Sequence, residues 1–367
     1  MDVGARVGSL LSKRVVELEP IDEHGWKREH VFRARLDDGC TVIVKTGKRW
    51  EGQSEYPPAG FLADVAGLRF LSEVAPGLAP RFIASREDVL VLEDVGDGDS
   101  LADVLLGSHA GRARATLAAL GTSLGRLHAA TIGHEDRFDE IRASLPPFEN
   151  RLGPARFLER VVGGFADVCH DSGVSWGSSE QEDAGLVART IGDPGPYRAY
   201  VHGDPCPDNC RVIDDGVLLL DFEGGRFAHA LLDGTYARIR FPTCWCVNGL
   251  AEAQVRAFED AYRTELRRGC RAADDVDAFE REMTLVAASW MLDGVTGMYE
   301  RVRRDGDREW GIATLTQRIL ARLEAFTAMA ERSGTVPALA RATADLHAAL
   351  WERWPEAREL PPYPAFR

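Results

Sequence analysis

The 367-residue chain is poor in lysine: only Lys13, Lys27, Lys45 and Lys48 occur, and arginine carries the positive charge elsewhere. A lysine on an apolar strand pattern, as in Thr41–Lys45 (TVIVK), is therefore read as placed for a purpose. No apolar run approaches the roughly 20 residues of a membrane-spanning helix. Met1 to Arg14 lacks the charged-then-apolar layout of a secretory signal. The two absences together lead us to expect a soluble cytosolic protein with no membrane partner. Positive charge is not in surplus either, since 44 basic residues face 58 acidic ones for a net charge of −14. Nucleic-acid binders present a basic face, so that class of partner is not expected. An acidic site would instead concentrate a cationic small substrate, although charge of this size also serves solubility alone. The seven cysteines are odd in number and scattered, which reads as free thiols rather than a disulfide framework. Cys206/Cys210 and Cys244/Cys246 are close pairs, but their spacings do not match paired CxxC and no histidine stands at a supporting offset, so no zinc is expected there. Internal repeats and low-complexity segments are missing too.

Hydrophobic residues make up 45% of the chain, ample for a large core. The first segment reads as strands: Arg14–Ile21, Val31–Leu36 and Thr41–Lys45, the last two joined by the hairpin signal Asp37-Asp38-Gly39. Apolar residues at helical spacing then run over Phe61–Val74, and Arg81–Ile83 and Val89–Leu92 read as two more strands. After Asp94-Val95-Gly96-Asp97-Gly98 the patterns turn mainly helical, over Ser100–Leu106, Ala113–Thr131 and Pro154–Ser172. Short strand-like runs at Ala199–Val201, Cys210–Ile213 and Val217–Leu220 interrupt them. Helical patterns resume at Leu250–Arg268, Val276–Arg304, Trp310–Arg332 and Pro337–Trp354, and the proline-rich Leu360–Phe366 is expected as an extended end.

Chemistry concentrates in Val201–Asn209 (VHGDPCPDN) and Leu218–Glu223 (LLLDFE). In the first, Asp204 and Asn209 share a tight loop containing glycine and prolines. In the second, Asp221 ends an apolar strand. Phosphoryl transfer from a nucleotide asks little covalent work of a protein: a base to orient the acceptor hydroxyl, and oxygen ligands for a magnesium ion on the phosphates. Asp204 has the chemistry for the first task, Asn209 and Asp221 for the second.

His-Gly-Asp-x-x-x-x-Asn followed by Asp-Phe-Glu resembles the signature of the aminoglycoside phosphotransferase and choline kinase-like enzymes, relatives of the protein kinases that phosphorylate small molecules. The resemblance implies an α+β, two-lobed, protein kinase-like fold. It places an antiparallel-sheet N-lobe with one helix at residues 1–94 and a larger helical C-lobe at 95–367. It implies ATP and Mg2+ as cofactors, Asp204 as catalytic base, and Asn209 and Asp221 as metal ligands. Lys45 would hold the α- and β-phosphates. Where the family pairs that lysine with a glutamate, this chain has the shorter Asp64, and Glu73 is read as solvent-facing. Adenine would dock on backbone groups at the strand end, the Glu93 carbonyl and the Val95 amide. The phosphate-covering segment Asp22–His30 departs from the glycine-rich pattern, having only Gly25, so backbone amides over Gly25–Arg28 are expected to serve, with Lys27 or Arg28 helping or simply solvated. His202 and Asp233 are read as bracing the catalytic loop, and His128 as structural.

For the acceptor, Phe241–Cys246 (FPTCWC) reads as a pocket wall with Trp245 stacking on a sugar or capping a cation, or else as an apolar corner. Asp293 and Glu300 share a helical face, to meet substrate amines or water. The expected activity is phosphorylation of a hydroxyl on a small molecule: an aminoglycoside-like antibiotic or related cationic compound, or a metabolite such as an amino alcohol, an amino sugar or a homoserine-type compound. A protein kinase and a catalytically silent nucleotide-binding module stay open beside it, although no Asp-Phe-Gly or Ala-Pro-Glu segment favours the first.

Overall fold

Branched side chains at alternate positions of Thr41–Thr46 (β3) bury Val42 and Val44 on one face of a sheet and turn Ile43 and Lys45 to the other. In the computed structural model, which describes residues 2–23, 26–47, 56–149, 158–214 and 216–367, with the side chains of 22–29, 158 and 159 excepted, β3 is the centre of a five-stranded antiparallel sheet. Its other strands are Val15–Glu23 (β1), Trp26–Leu36 (β2), Phe82–Arg86 (β4) and Val89–Glu93 (β5), in the order β1-β2-β3-β5-β4. The Asp37–Gly39 turn closes β2 onto β3, with Gly39 at φ +84° and its N–H donating to the Leu36 carbonyl. Val42 and Val44 pack with Ala34, Leu36, Val89, Val91 and Val7. Val7 comes from an N-terminal helix, Val3–Leu11 (α1), capped by Asp2. The segment has its apolar residues Val3, Val7, Leu10 and Leu11 at helical spacing, but two glycines and a length of nine residues kept the period inconspicuous. The long helix Ala59–Val74 (α2) contributes Asp64 to Lys45 on the face of β3 opposite Val42 and Val44.

Beyond β5 the chain is mainly helical: Leu101–Leu106 (α3), Ala110–Thr131 (α4), Glu135–Ala143 (α5), Gly163–Asp171 (α6) and Ser178–Gly192 (α7). Then come Leu231–Gly234 (α8), Glu252–Leu266 (α9), Val276–Asp305 (α10), Leu315–Ser333 (α11) and Pro337–Arg353 (α12). Short strands interrupt them at Arg198–Val201 (β6), Cys210–Ile213 (β7), Gly216–Leu219 (β8) and Arg226–His229 (β9). The chain forms two compact units. The first is Met1–Gly98 with Gly133–Asn150 and Leu218–Arg226; the second is Asp99–Ile132, Arg151–Val217 and Phe227–Arg367. The fold is α+β, an antiparallel sheet in the first unit and mostly helices in the second.

Helix α5 joins the first unit by setting Phe138 edge-on to Phe70 at 5.6 Å, while Arg137 forks onto Glu73. Glu73 is thus a partly exposed ion-pair partner. In the second unit α9 lies against α4, α10 against α11, and α11 against α12. The α4–α9 approach is unusually close. A Cβ at Gly121 would stand 2.3 Å from the Phe258 carbonyl oxygen, and one at Gly125 2.4 Å from that of Tyr262. Backbone cannot rotate aside, so Gly125→Ala is expected to lower unfolding stability by about 1–3 kcal/mol in urea titration. Gly297→Ala, in open space within α10, should raise it by about 0.5–1 kcal/mol. Equal effects from the two would refute the tight-packing account.

Two sequence readings change here. Helix α11 begins at Leu315 rather than Trp310, because Gly311 (φ +67°) turns a two-stranded ribbon, Glu309–Trp310 with Ala313–Thr314, before Thr314 and Gln317 form a capping box. The Leu360–Phe366 end is not extended throughout but closes in a 3-10 turn, Pro364–Phe366, and is docked: Tyr363 is fully buried and the Gly249 N–H donates to the Pro361 carbonyl at 2.8 Å. Asp293 and Glu300 both face solvent on α10. Among the described residues no helix is long and apolar enough to cross a membrane.

Candidate active site

In the first unit the site grows from strand β3. Alternation puts Lys45 on the face away from the Val42–Val44 core, and α2 carries Asp64 to it. The Lys45 Nζ stands 2.6 Å from Asp64 Oδ2 and 3.2 Å from Asp221 Oδ1. Asp64 is only 1% exposed, and its other oxygen accepts the Phe222 N–H at 2.9 Å. The shorter aspartate therefore reaches the lysine despite lacking a methylene, and also ties down the Asp-Phe-Glu segment. Asp221 holds a left-handed backbone (φ +67°), which an aspartate tolerates better than most residues. Burial alone would lower the Lys45 pKa, but the carboxylates of Asp221 and Asp64 outweigh it and hold the ammonium well above its ordinary range. Burial presses Asp64 upward, with Lys45 and the Phe222 N–H opposing. With the lysine charged and in contact, we read the pair as a buried ion pair.

Glu93 ends β5 with its side chain turned to solvent, and its carboxylate accepts the Arg81 N–H at 3.2 Å. Val95 follows in coil, half-buried. The segment is anchored by Asp94, whose carboxylate takes the Arg33 guanidinium at 2.7 Å and 3.1 Å and caps the Gly96 N–H at 3.0 Å. For the glycine-poor segment Asp22–His30, residues 24 and 25 and the side chains of 22–29 lie outside the described residues; Trp26–Arg28 belong to β2.

In the second unit β6 delivers the chain into the loop His202–Asn209. Gly203 adopts φ +80°, and a 3-10 turn, Pro207–Asn209, closes the loop. The Asp204 carbonyl accepts the Cys206 N–H at 2.8 Å and Asn209 Nδ2 at 3.1 Å, so the two polar residues are joined across the turn. Among the described residues the donors to the Asp204 carboxylate fall on Oδ1: the Tyr236 hydroxyl at 2.7 Å, the Cys206 thiol at 2.9 Å and the Thr243 hydroxyl. Beneath the loop Asp233 is fully buried. Its Oδ2 accepts the His202 N–H at 2.7 Å and its Oδ1 the Gly203 N–H at 3.1 Å. His128 Nε2 faces Asp233 Oδ2 at 3.2 Å, and its Nδ1 faces the Tyr262 hydroxyl at 2.8 Å. Burial would raise the Asp233 pKa, but His128 and the His202 N–H more than offset it and leave the carboxyl below its usual range.

The structure thus brings Lys45, Asp64 and Asp221 together in one unit and Asp204 and Asn209 together in the other, with Glu93 and Val95 at the end of β5. Sequence reasoning missed Tyr236 and Thr243. Tyr236 follows Asp233 by one helical turn, a usable signal. Thr243 sits inside FPTCWC, where the aromatic and thiols drew attention instead. Trp245 is held by its indole N–H on Asp208 Oδ2 at 3.2 Å.

No family model matches the chain. A stretch of 68 residues is 43% identical to part of a probable bifunctional tRNA threonylcarbamoyladenosine biosynthesis protein of Natronomonas pharaonis, covering 18% of this chain and 12% of that protein. The chain therefore spans only a small part of that curated relative. Similarity to solved structures runs nearly end to end. An aminoglycoside phosphotransferase from Alicyclobacillus acidocaldarius superposes with a TM-score of 0.50 at 11% identity, over 95% of this chain and 96% of that one. A choline/ethanolamine kinase family protein from Mesorhizobium loti gives 0.50 at 14% identity, over 90% and 92%. The fold is protein kinase-like. At these identities the likeness is one of fold.

Proposed function

We propose that the protein is an ATP- and Mg2+-dependent phosphotransferase of the aminoglycoside phosphotransferase and choline kinase-like family, acting on a hydroxyl of a small molecule. The observation that carries this reading is the charged Lys45 held between the Asp64 and Asp221 carboxylates, in a chain whose second unit offers Asp204 and Asn209 on one braced loop. The donor types suit the cofactor. Asn209 spends its Nδ2 on the Asp204 carbonyl, which leaves Oδ1 as a ligand atom, and Asp221 adds a carboxylate; hard oxygens of this kind suit magnesium. Magnesium nucleotide, when bound, supplies the phosphoryl group and neutralises its charge. Lys45 holds the α- and β-phosphates, with Asp64 fixing its ammonium. The Glu93 carbonyl and Val95 amide receive adenine. Asp204, its Oδ1 occupied by Tyr236, Cys206 and Thr243, orients the acceptor hydroxyl and takes its proton on Oδ2. The net charge of −14 favours a cationic acceptor, an aminoglycoside-like compound first and an amino alcohol or amino sugar next. We place the protein in the cytoplasm.

The test is a coupled ADP-release screen of aminoglycosides, macrolides, amino alcohols and sugars. Turnover with one class supports the reading. Nucleotide-dependent thermal stabilisation with no turnover on any acceptor would make the protein a silent binding module instead. Lys45→Met should lower kcat/KM for the nucleotide by about 10²–10³-fold, the size of effect seen when one preorganised charge contact is lost. A loss below about tenfold would remove Lys45 from the phosphate site.

A further inference from the structure

Three thiols and a carboxylate crowd one corner of the second unit, and phosphoryl transfer uses none of them directly. Cys206 and Asp208 come from the His202–Asn209 loop, Cys244 and Cys246 from the segment after α8. The ligand atoms of Cys206, Asp208 and Cys244 all lie within 4.8 Å of one another. Cys244 Sγ is 3.9 Å from Asp208 Oδ1 and 3.0 Å from Cys246 Sγ. Zinc bonds of ~2.3 Å to sulfur and ~2.0 Å to oxygen at tetrahedral angles separate ligand atoms by about 3.5–3.8 Å. Cys244 Sγ and Asp208 Oδ1 already stand close to that separation. We propose that Cys206, Asp208 and Cys244 bind a zinc ion that ties the Asp204 loop to the 241–246 segment.

The ligands come from both close pairs, one thiol from Cys206/Cys210 and one from Cys244/Cys246, with a carboxylate outside either, so spacing within a pair does not report the site. Sulfur ligands select zinc over magnesium, and a carboxylate among them suits zinc better than copper(I). A second observation concerns charge. Arg318 is buried, donates to the carbonyls of Cys244 at 2.8 Å and Trp245 at 3.2 Å, and has no carboxylate partner among the described residues. A zinc centre carrying thiolates and a carboxylate is net negative and supplies the missing counter-charge. Binding forms the metal–sulfur and metal–oxygen bonds and releases the thiol protons to solvent. The Cys206 proton now donated to Asp204 Oδ1 is among them, so the loaded protein holds that carboxylate with Tyr236 and Thr243 alone.

The experiment is elemental analysis of untagged protein purified without chelator, followed by metal removal and refilling of the wild-type chain with Zn2+ or Cd2+. About one zinc per chain is expected, together with a sulfur-to-cadmium charge-transfer band and a rise in melting temperature on refilling. Cys206→Ser and Cys244→Ser should lose the metal and the band, while Cys169→Ser and Cys270→Ser, buried elsewhere, keep both. The refilling arm needs no variant, so a misfolded mutant leaves the test intact. Absence of the cadmium band in refilled wild-type protein, metal content unchanged by the two serine variants, or a mass two hydrogens low from a disulfide among these cysteines would each overturn the site. None of these readouts depends on phosphotransferase activity.

Discussion

Replacing Asp204 by asparagine should lower turnover by about 10²–10⁴-fold, the contribution typical of a positioned general base, while the nucleotide still raises the melting temperature as it does in the parent. The geometry explains why the two readouts separate. Asparagine keeps an oxygen where Oδ1 receives Tyr236, Cys206 and Thr243, so the loop retains its hydrogen bonds. What disappears is the second oxygen, replaced by an NH2 that cannot take a proton. Lys45, Asp64 and Asp221 belong to the other unit and are untouched. Single-turnover measurement at saturating nucleotide and acceptor would isolate the chemical step. A variant with turnover within about tenfold of the parent would show that the proton leaves by another route, and the base assignment would fall even if the protein proved to be a kinase.

Legibility in the sequence followed the range of the interactions. Strand β3 and the hairpin at Asp37–Gly39 were readable because alternation and turn chemistry are local properties. Lys45 stood out by scarcity of its residue type, and Asp204, Asn209 and Asp221 by spacing. Asp64 was readable only as a departure from a pattern; that an aspartate spans to Lys45 at 2.6 Å depends on how closely α2 approaches β3, which no local period records. Thr243 and Arg318 were invisible for the same reason, since each acts on a residue far away in sequence. Helix α1 shows the opposite failure: a local signal was present but too short to outweigh its two glycines. The cysteines show a third: Cys206, Asp208 and Cys244 come within 4.8 Å of one another from two separated segments, a proximity that spacing within either close pair does not record.

Asp233→Asn should be the most damaging single change to stability, costing about 3–5 kcal/mol as the loss of one partner in a buried charged network. Its two oxygens are both acceptors in use, Oδ2 toward the His202 N–H and His128 Nε2, Oδ1 toward the Gly203 N–H. An amide supplies only one oxygen, so in either orientation an NH2 meets a backbone N–H inside a sealed interior. Gly203 and His202 precede Asp204 directly, so the loop that presents the base would also lose its footing. The pH dependence carries a separate signature. Because the folded Asp233 carboxyl lies below its usual range, its contribution is present above the unfolded value of about 3.9 and is lost as pH falls through the folded one. Urea titrations at a series of acidic pH values should therefore show the parent losing stability through that window and the variant losing less. If the variant were destabilised by under about 1 kcal/mol, or if its acid limb paralleled the parent's, Asp233 would not be the brace of the loop. A kinetic assay well below the variant's melting temperature then separates the two consequences: a folded Asp233→Asn protein with parental turnover would show that Asp204 is held in place by Tyr236 and Thr243 alone.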